Sequence, residues 1–235
     1  MYIKQFRYNS DNLAYIIHGT SHAIAIDGGA VADILSYLNK KNLTLKYIFN
    51  THNHGDHTSG NNRLLQTTEA TFVSVNTLIA EKNVQIENMN IRIYDTPGHT
   101  RDSICFHAND WLITGDTLFN GTVGNCFTND EATFVNSLKK ILTLPDHTII
   151  YAGHDYVLPA LRFAKKHVQN VKAVDEFLTT YHPDHVFSKL AQEKVHNIFL
   201  RLNSPDTITL LQSKGLANGD HTQRFRSLKE IEIWD

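Results

Sequence analysis

Cysteine is scarce in this 235-residue chain. Cys105 and Cys126 are its only two, far apart and in no CxxC spacing. That excludes a disulfide framework and a cysteine-built zinc site, and Cys105, inside an apolar stretch, reads as a buried strand thiol. A dominant sign of charge is also lacking: 22 Lys and Arg face 24 Asp and Glu, for a formal net charge of −2. No basic field is available for gripping nucleic acid, and no long like-charge run occurs. No apolar run is long enough to span a bilayer, and residues 1–9 are too polar and strand-like for a signal peptide. A cytoplasmic protein with neither a nucleic-acid nor a membrane partner is expected. Internal repeats and low-complexity segments are absent as well. What the chain does have is 41% hydrophobic residues, enough for a sizeable core, and 14 histidines.

Apolar stretches over 2–8, 13–18 and 23–26, separated by polar breaks, predict an antiparallel start of three strands. Val31, Ile34, Leu35 and Leu38 have the spacing of an amphipathic helix over 31–41. A buried strand over 45–49 follows, then a helix over 59–66, a short strand over 72–75 and another over 91–94. A hairpin is expected between 102–107 and 111–114 through Asn109-Asp110, then a helix over 132–142 and a strand over 148–151. From about 158 onward the patterns are helical, at 161–167, 171–181 and 188–197, with hardly any strand signal. The expected organisation is a catalytic domain over 1–157 and a mainly helical region over 158–235 that contributes to substrate binding.

The residues that carry chemistry lie at strand exits. Thr51-His52-Asn53-His54-Gly55-Asp56-His57 packs three imidazoles and a carboxylate into six residues. Three His and an Asp at these offsets arise by chance in on the order of a few chains per thousand. Four such donors exceed what one tetrahedral ion takes from a local loop, so two metals are suggested. In extended chain His52 and His54 project from one side, while Gly55 allows a turn that aims Asp56 and His57 elsewhere. His99, after Thr96-Pro97-Gly98, then Asp116, after Gly115, and His154, after Gly153, complete seven donors. Ions about 3.5–4 Å apart need a bridging carboxylate, and Asp116 is the candidate outside the dense stretch. The group His182-Pro183-Asp184-His185 is expected on a surface turn instead.

These motifs resemble the metallo-β-lactamase superfamily, and more narrowly its glyoxalase II branch, the hydroxyacylglutathione hydrolases. The HxHxDH stretch, Thr96-Pro97-Gly98-His99-Thr100, Thr114-Gly115-Asp116 and Gly153-His154-Asp155-Tyr156 carry the resemblance. Asp11-Asn12, Asp27-Gly28 and Asn197-Ile198-Phe199-Leu200-Arg201 extend it over roughly 9–201. It implies an αββα sandwich with a small C-terminal helical appendage and two divalent ions, zinc first, with iron or manganese as alternatives. His52, His54 and His99 would hold one ion, Asp56, His57 and His154 the other, and Asp116 would bridge. The implied reaction is hydrolysis of S-(2-hydroxyacyl)glutathione to the 2-hydroxy acid and glutathione by a metal-bound hydroxide, in a monomer, with Asp56 and Asp116 as catalytic carboxylates. Asp27 is expected to cap the helix that follows it, the alternative being an acceptor that orients a ligand imidazole.

The expected substrate contacts are Asn125, Phe127, Tyr156, Arg226 and Lys229. In the branch, the loop after the bridging Asp reads Gly-Cys-Gly followed by Lys or Arg, Phe and often Tyr. Here it reads Gly124-Asn125-Cys126-Phe127, so a cation and a hydroxyl are missing, and a thioester of another carrier is the alternative substrate. Persulfide dioxygenase, which keeps one iron, shares the Thr-Pro-Gly-His-Thr and His-Asp-Tyr spellings. The segment 197–201 favours glyoxalase II.

Overall fold

The computed structural model describes residues 1–167 and 171–234, the side chains of 233 and 234 excepted. Its first sheet has five strands in the order β1-β2-β3-β4-β5: β1 (Tyr2–Tyr8), β2 (Asn12–His18), β3 (His22–Ile26), β4 (Thr44–Phe49) and β5 (Thr71–Phe72). The pairs β1–β2 and β2–β3 are antiparallel; β3–β4 is parallel, with helix α1 (Val31–Lys41) between them in sequence. Period-two alternation fixes the two faces of this sheet. Leu13, Tyr15 and Ile17 of β2 enter the large core between the sheets, while Ala14 and Ile16 turn outward to a smaller cluster with Ile34 and Leu38 of α1 and Leu64.

The second sheet runs β11-β10-β9-β8-β7-β6, formed by β6 (Asn83–Ile86), β7 (Met89–Asp95), β8 (Ile104–Ala108), β9 (Trp111–Gly115), β10 (Ile149–Ala152) and β11 (Ser188–Lys189). Its inner residues, such as Ile91 and Phe106, share the large core with Phe49 of β4, whose ring stacks on Phe106 at 5.7 Å. The same core takes in α5 (Glu131–Leu142) and α6 (Val157–His167). The sandwich is therefore α, β, β, α in layers, as expected.

Local differences from the sequence reading have local causes. The expected strand over 72–75 is cut short because the Ser74 hydroxyl accepts from the Thr77 N–H and caps α4 (Val75–Glu81). The expected helix over 59–66 is α3 (Asn61–Thr67), and the turn expected at Gly55 is a one-turn helix, α2 (Gly55–Thr58). β6 is an unanticipated partner of β7, and the helix expected from 188 begins as β11, which pairs antiparallel with β10 before α8 (Leu190–His196) starts. A two-residue strand lacks the length to show a period. Downstream of α7 (Val171–Thr180) and α8, two helices were not anticipated: α9 (Pro205–Ser213) and α10 (His221–Trp234). Phe225 of α10 lies edge-on to Phe134 of α5 at 5.3 Å and to Phe199 at 5.8 Å, and all three are fully buried. At about 1.5–3 kcal/mol per buried side chain, this contact alone ties the C-terminal segment to the common core.

The two sheets converge where their strands end. The Leu13 N–H donates to the Gly153 carbonyl and the Gly153 N–H to the Gly115 carbonyl, both at 2.8 Å. The segments after β4, β7, β9 and β10 therefore open on one edge.

Candidate metal centre

At that edge the seven donors form two groups. The ligating atoms of His52, His54, His99 and Asp116 lie within 4.8 Å of one another, as do those of Asp56, His57 and His154. In the first, His54 Nδ1 is 3.0 Å from His52 Nε2 and 3.1 Å from His99 Nε2, and Asp116 Oδ2 is 3.3 Å from His99 Nε2. In the second, His154 Nε2 is 3.2 Å from both His57 Nε2 and Asp56 Oδ2. Asp116 joins them: its Oδ1 lies 3.3 Å from His57 Nε2, while its Oδ2 faces both His99 and, at 3.6 Å, His154.

The arrangement fits divalent metal on several independent grounds. Asp116 Oδ1 is buried with no hydrogen-bond partner, a cost that a coordinated cation removes. His57, His99 and His154 direct their opposite ring nitrogens, Nδ1, at fixed acceptors: the Asp27 carboxylate at 2.9 Å, the Asn125 carbonyl at 2.9 Å and the Asp11 carboxylate at 2.7 Å. An imidazole that donates from Nδ1 presents the lone pair of Nε2 to the site, so these three rings are oriented as ligands. His52 Nδ1 meets the Thr51 hydroxyl at 3.0 Å, and that hydroxyl donates to Asp27. Space is tight around the carboxylate. A Cβ on Gly153 would sit 2.3 Å from Asp116 Oδ1, and one on Gly124 would sit 1.9 Å from the Asp116 carbonyl oxygen, so neither position admits a side chain without displacing the site.

The electrostatics agree with this geometry. Burial, with His57 beside it, pulls His52 down to about 3, and burial lowers His99 as well, so both rings are neutral at pH 7, the form that ligates. Asp116 is held well below the usual carboxylate range; burial opposes this, but the adjacent charge of His57, 3.3 Å away, outweighs it. His57 moves the other way. Burial disfavours its charge, yet Asp27 and Asp116 raise it far above its ordinary value. Two buried carboxylates around one imidazole create a demand for positive charge, which a proton meets when no metal ion does.

Several supporting residues come from far away in sequence. Asp27 is the main correction. The helix α1 begins after Ala30, which makes no side-chain cap, whereas the fully buried Asp27 carboxylate accepts from the Thr51 N–H at 2.8 Å, the Thr51 hydroxyl at 2.7 Å and His57 Nδ1 at 2.9 Å. Its left-handed backbone, φ 52°, turns the side chain back under the 51–57 stretch. Asn12 donates to Asp56 Oδ2 at 2.8 Å, and the Tyr8 hydroxyl donates to the Asp56 carbonyl at 2.9 Å. The Asp11-Asn12 pair was the available signal for this support, while Tyr8, one strand residue among many, gave none. Among the described residues the two groups above are the only clusters suited to a metal ion, and His182 and Asp184 are exposed on a turn as expected.

A cavity of about 440 Å³ adjoins the second group. Tyr156 stacks on His154 at 5.1 Å with the planes 6° apart, and both Tyr156 and Asn125 line the cavity. Burial and the nearby Asp11 raise the Tyr156 hydroxyl to about 12, so it is a neutral donor. Lys229 also lines the cavity, donating to Glu232 Oε2 at 2.7 Å and to the Val123 carbonyl at 2.8 Å. The remaining expected contacts lie elsewhere. Phe127 is 63% exposed and sits edge-on to His54 and His99, whereas Arg226 makes a two-pronged pair with Glu131 on an exposed face, Nε at 3.0 Å and Nη2 at 2.9 Å.

Comparison with known proteins agrees with the site. The sequence profile of the metallo-beta-lactamase superfamily matches residues 9–90 and 87–154. A hydroxyacylglutathione hydrolase of Pelagibacter ubique is 33% identical over 234 residues, covering 90% of this chain and 98% of the relative. A probable hydroxyacylglutathione hydrolase of Schizosaccharomyces pombe is 32% identical over 220 residues, covering 83% and 85%. Among solved structures, ETHE1 from Myxococcus xanthus superposes with a TM-score of 0.66 at 27% identity, covering 92% of each chain. With its profile match, its relatives and its strand-end histidines and aspartates in agreement, the chain belongs to the metallo-beta-lactamase superfamily, among the hydroxyacylglutathione hydrolases.

Proposed function

We propose that this chain hydrolyses glutathione thioesters, converting S-(2-hydroxyacyl)glutathione and water to a 2-hydroxy acid and glutathione, with two divalent ions, zinc in the first place. The observation that carries this reading is the shared Asp116. One carboxylate faces a complete three-histidine group with Oδ2 and His57 of the second group with Oδ1, the arrangement a pair of ions requires. When bound, such ions lower the pKa of coordinated water toward 7 and polarise a carbonyl oxygen.

The chain's own groups divide the remaining work. Asp116 sets the separation of the two groups and supplies negative charge between them. Asp56, 40% exposed at the rim, is pushed up by partial burial but held below the usual carboxylate range by the Asn12 amide and His57. It is ionised at neutral pH and positioned to accept a proton from attacking water. Tyr156 and Asn125 line the path from the metal groups into the cavity, and Phe127 covers the opposite side, over His54 and His99. Lys229 shapes the far wall from the helical segment after 158.

The test is hydrolysis of S-D-lactoylglutathione by purified protein together with elemental analysis. Thioester cleavage should require metal and be abolished in Asp116→Ala and His54→Ala. Full activity after chelation, or in either variant, overturns the reading. Stoichiometric oxygen uptake with glutathione persulfide would assign the site to a single-iron oxygenase instead.

A further inference from the structure

The C-terminal cations named as substrate contacts are already matched inside the protein. The Lys229 ammonium donates to Glu232 and the Val123 carbonyl and lies 4.7 Å over the Phe199 ring. Burial lowers its proton affinity, and Glu232 counters that loss. Glu232 is itself held by the Thr122 hydroxyl at 2.5 Å. Both prongs of Arg226 are on Glu131. A substrate carboxylate would have to displace an internal one to reach either cation. The cavity nevertheless has a free positive group. Arg162, on the face of α6 that lines it, is exposed and makes no ion pair or hydrogen bond among the described residues.

We propose that Arg162 is the group that binds the distal carboxylate of the thiol carrier and so sets specificity for an anionic carrier. This rests on the thioester hydrolysis proposed above. The dimensions agree. Tyr156, against the metal ligand His154, precedes α6, and Arg162 lies six residues on, roughly 9 Å along the helix axis at 1.5 Å per residue. In glutathione the glycine directly follows the thiol-bearing cysteine, so its carboxylate lies roughly 5 Å beyond the cysteine Cα, and the cysteine Cβ–Sγ arm lengthens the reach from the thioester carbonyl. A thioester with its carbonyl at the metal groups therefore extends along Tyr156 and Asn125 and ends near the Arg162 guanidinium. That planar fork suits a carboxylate pairwise, and Glu232, which also lines the cavity and holds Lys229, repels an anion that strays toward that lysine.

The experiment compares S-lactoylglutathione with the same thioester whose glycine carboxylate is a carboxamide, in metal-loaded wild type, Arg162→Ala and Arg162→Lys. Arg162→Ala should raise KM for the acid by about 10- to 100-fold, with a far smaller change in kcat. It should leave KM for the amide within about twofold, because that substrate never makes the bond. Arg162→Lys should recover part of the loss. Calorimetric binding of S-methylglutathione, which is not cleaved, gives the same ranking independently of turnover. Equal affinity of wild type and Arg162→Ala for S-methylglutathione, or equal KM changes on the acid and amide thioesters, overturns the proposal. Failure of wild type to cleave either thioester overturns the catalytic reading, while the S-methylglutathione comparison still decides the role of Arg162.

Discussion

Replacing Asp27 by Asn keeps the shape of the side chain and a residue type that tolerates φ 52°, so the fold should survive. The hydrogen bonds cannot all survive. Asp27 Oδ1 accepts from the Thr51 N–H, and Oδ2 accepts from both the Thr51 hydroxyl and His57 Nδ1. The amide can keep its oxygen toward the Thr51 N–H, which places its NH₂ against the hydroxyl and the imidazole. The hydroxyl can rotate to accept. His57 must move its proton from Nδ1 to Nε2, the atom that faces Asp116 Oδ1 and His154, and in that tautomer it cannot ligate. Restoring the ligating tautomer costs the lost charge-assisted bond, about 1.5–3 kcal/mol. That corresponds to roughly 10- to 100-fold weaker metal binding at the group formed by Asp56, His57 and His154. Competition with a chromophoric chelator should show one site weakened by that factor and the other much less affected. Far-UV circular dichroism should remain unchanged. Two sites of wild-type affinity in Asp27→Asn would refute the argument that Asp27 sets the His57 tautomer.

Two further outcomes follow from the same geometry. Gly153→Ala would push a methyl to 2.3 Å from Asp116 Oδ1, so the carboxylate must shift; metal stoichiometry should fall while stability drops by only about 1–3 kcal/mol. Wild-type metal content in this variant would show that the cradle is looser than described. For chelator-treated protein, His52 sits at about 3 in the fold, against about 6.5 in the unfolded chain. The unfolded state therefore holds the extra proton between those values, and stability is lost as pH falls from about 6.5 toward 3, with a slope of up to ~1.4 kcal/mol per pH unit. Urea midpoints across that range should show this slope, and His52→Gln should flatten it; an unchanged slope in the variant would rule out His52 as the source.

Much of the site is legible in the sequence because each donor is announced locally. A metal loop at a strand exit needs an apolar strand, a turn and a donor, all within about ten residues, and 45–57, 91–99, 111–116 and 148–154 each contain the three. The helix over 31–41 matches to the residue because its apolar spacing is uninterrupted. Elements whose pattern is short or marked by a single cap are not legible in the same way. β11 is two residues long, α4 is signalled by Ser74 alone, and the weak apolar periodicity of α10 hides that Phe225 is a core residue.

What the sequence determined by itself was therefore the donor inventory, its placement at strand ends and the chemistry those residue types permit. The tertiary structure decided which donors meet: Asp116 standing between both groups, Asp27 reaching 24 positions ahead to hold Thr51 rather than capping α1, and the Asn125 carbonyl orienting His99. It also decided that Lys229 and Arg226 are matched by Glu232 and Glu131 while Arg162 is left facing the cavity. The physical reason is range. Periodicity, turns and caps act over a few residues of chain, whereas a hydrogen bond or ion pair between distant residues exists only once packing of the two sheets and the C-terminal helices has brought its partners together.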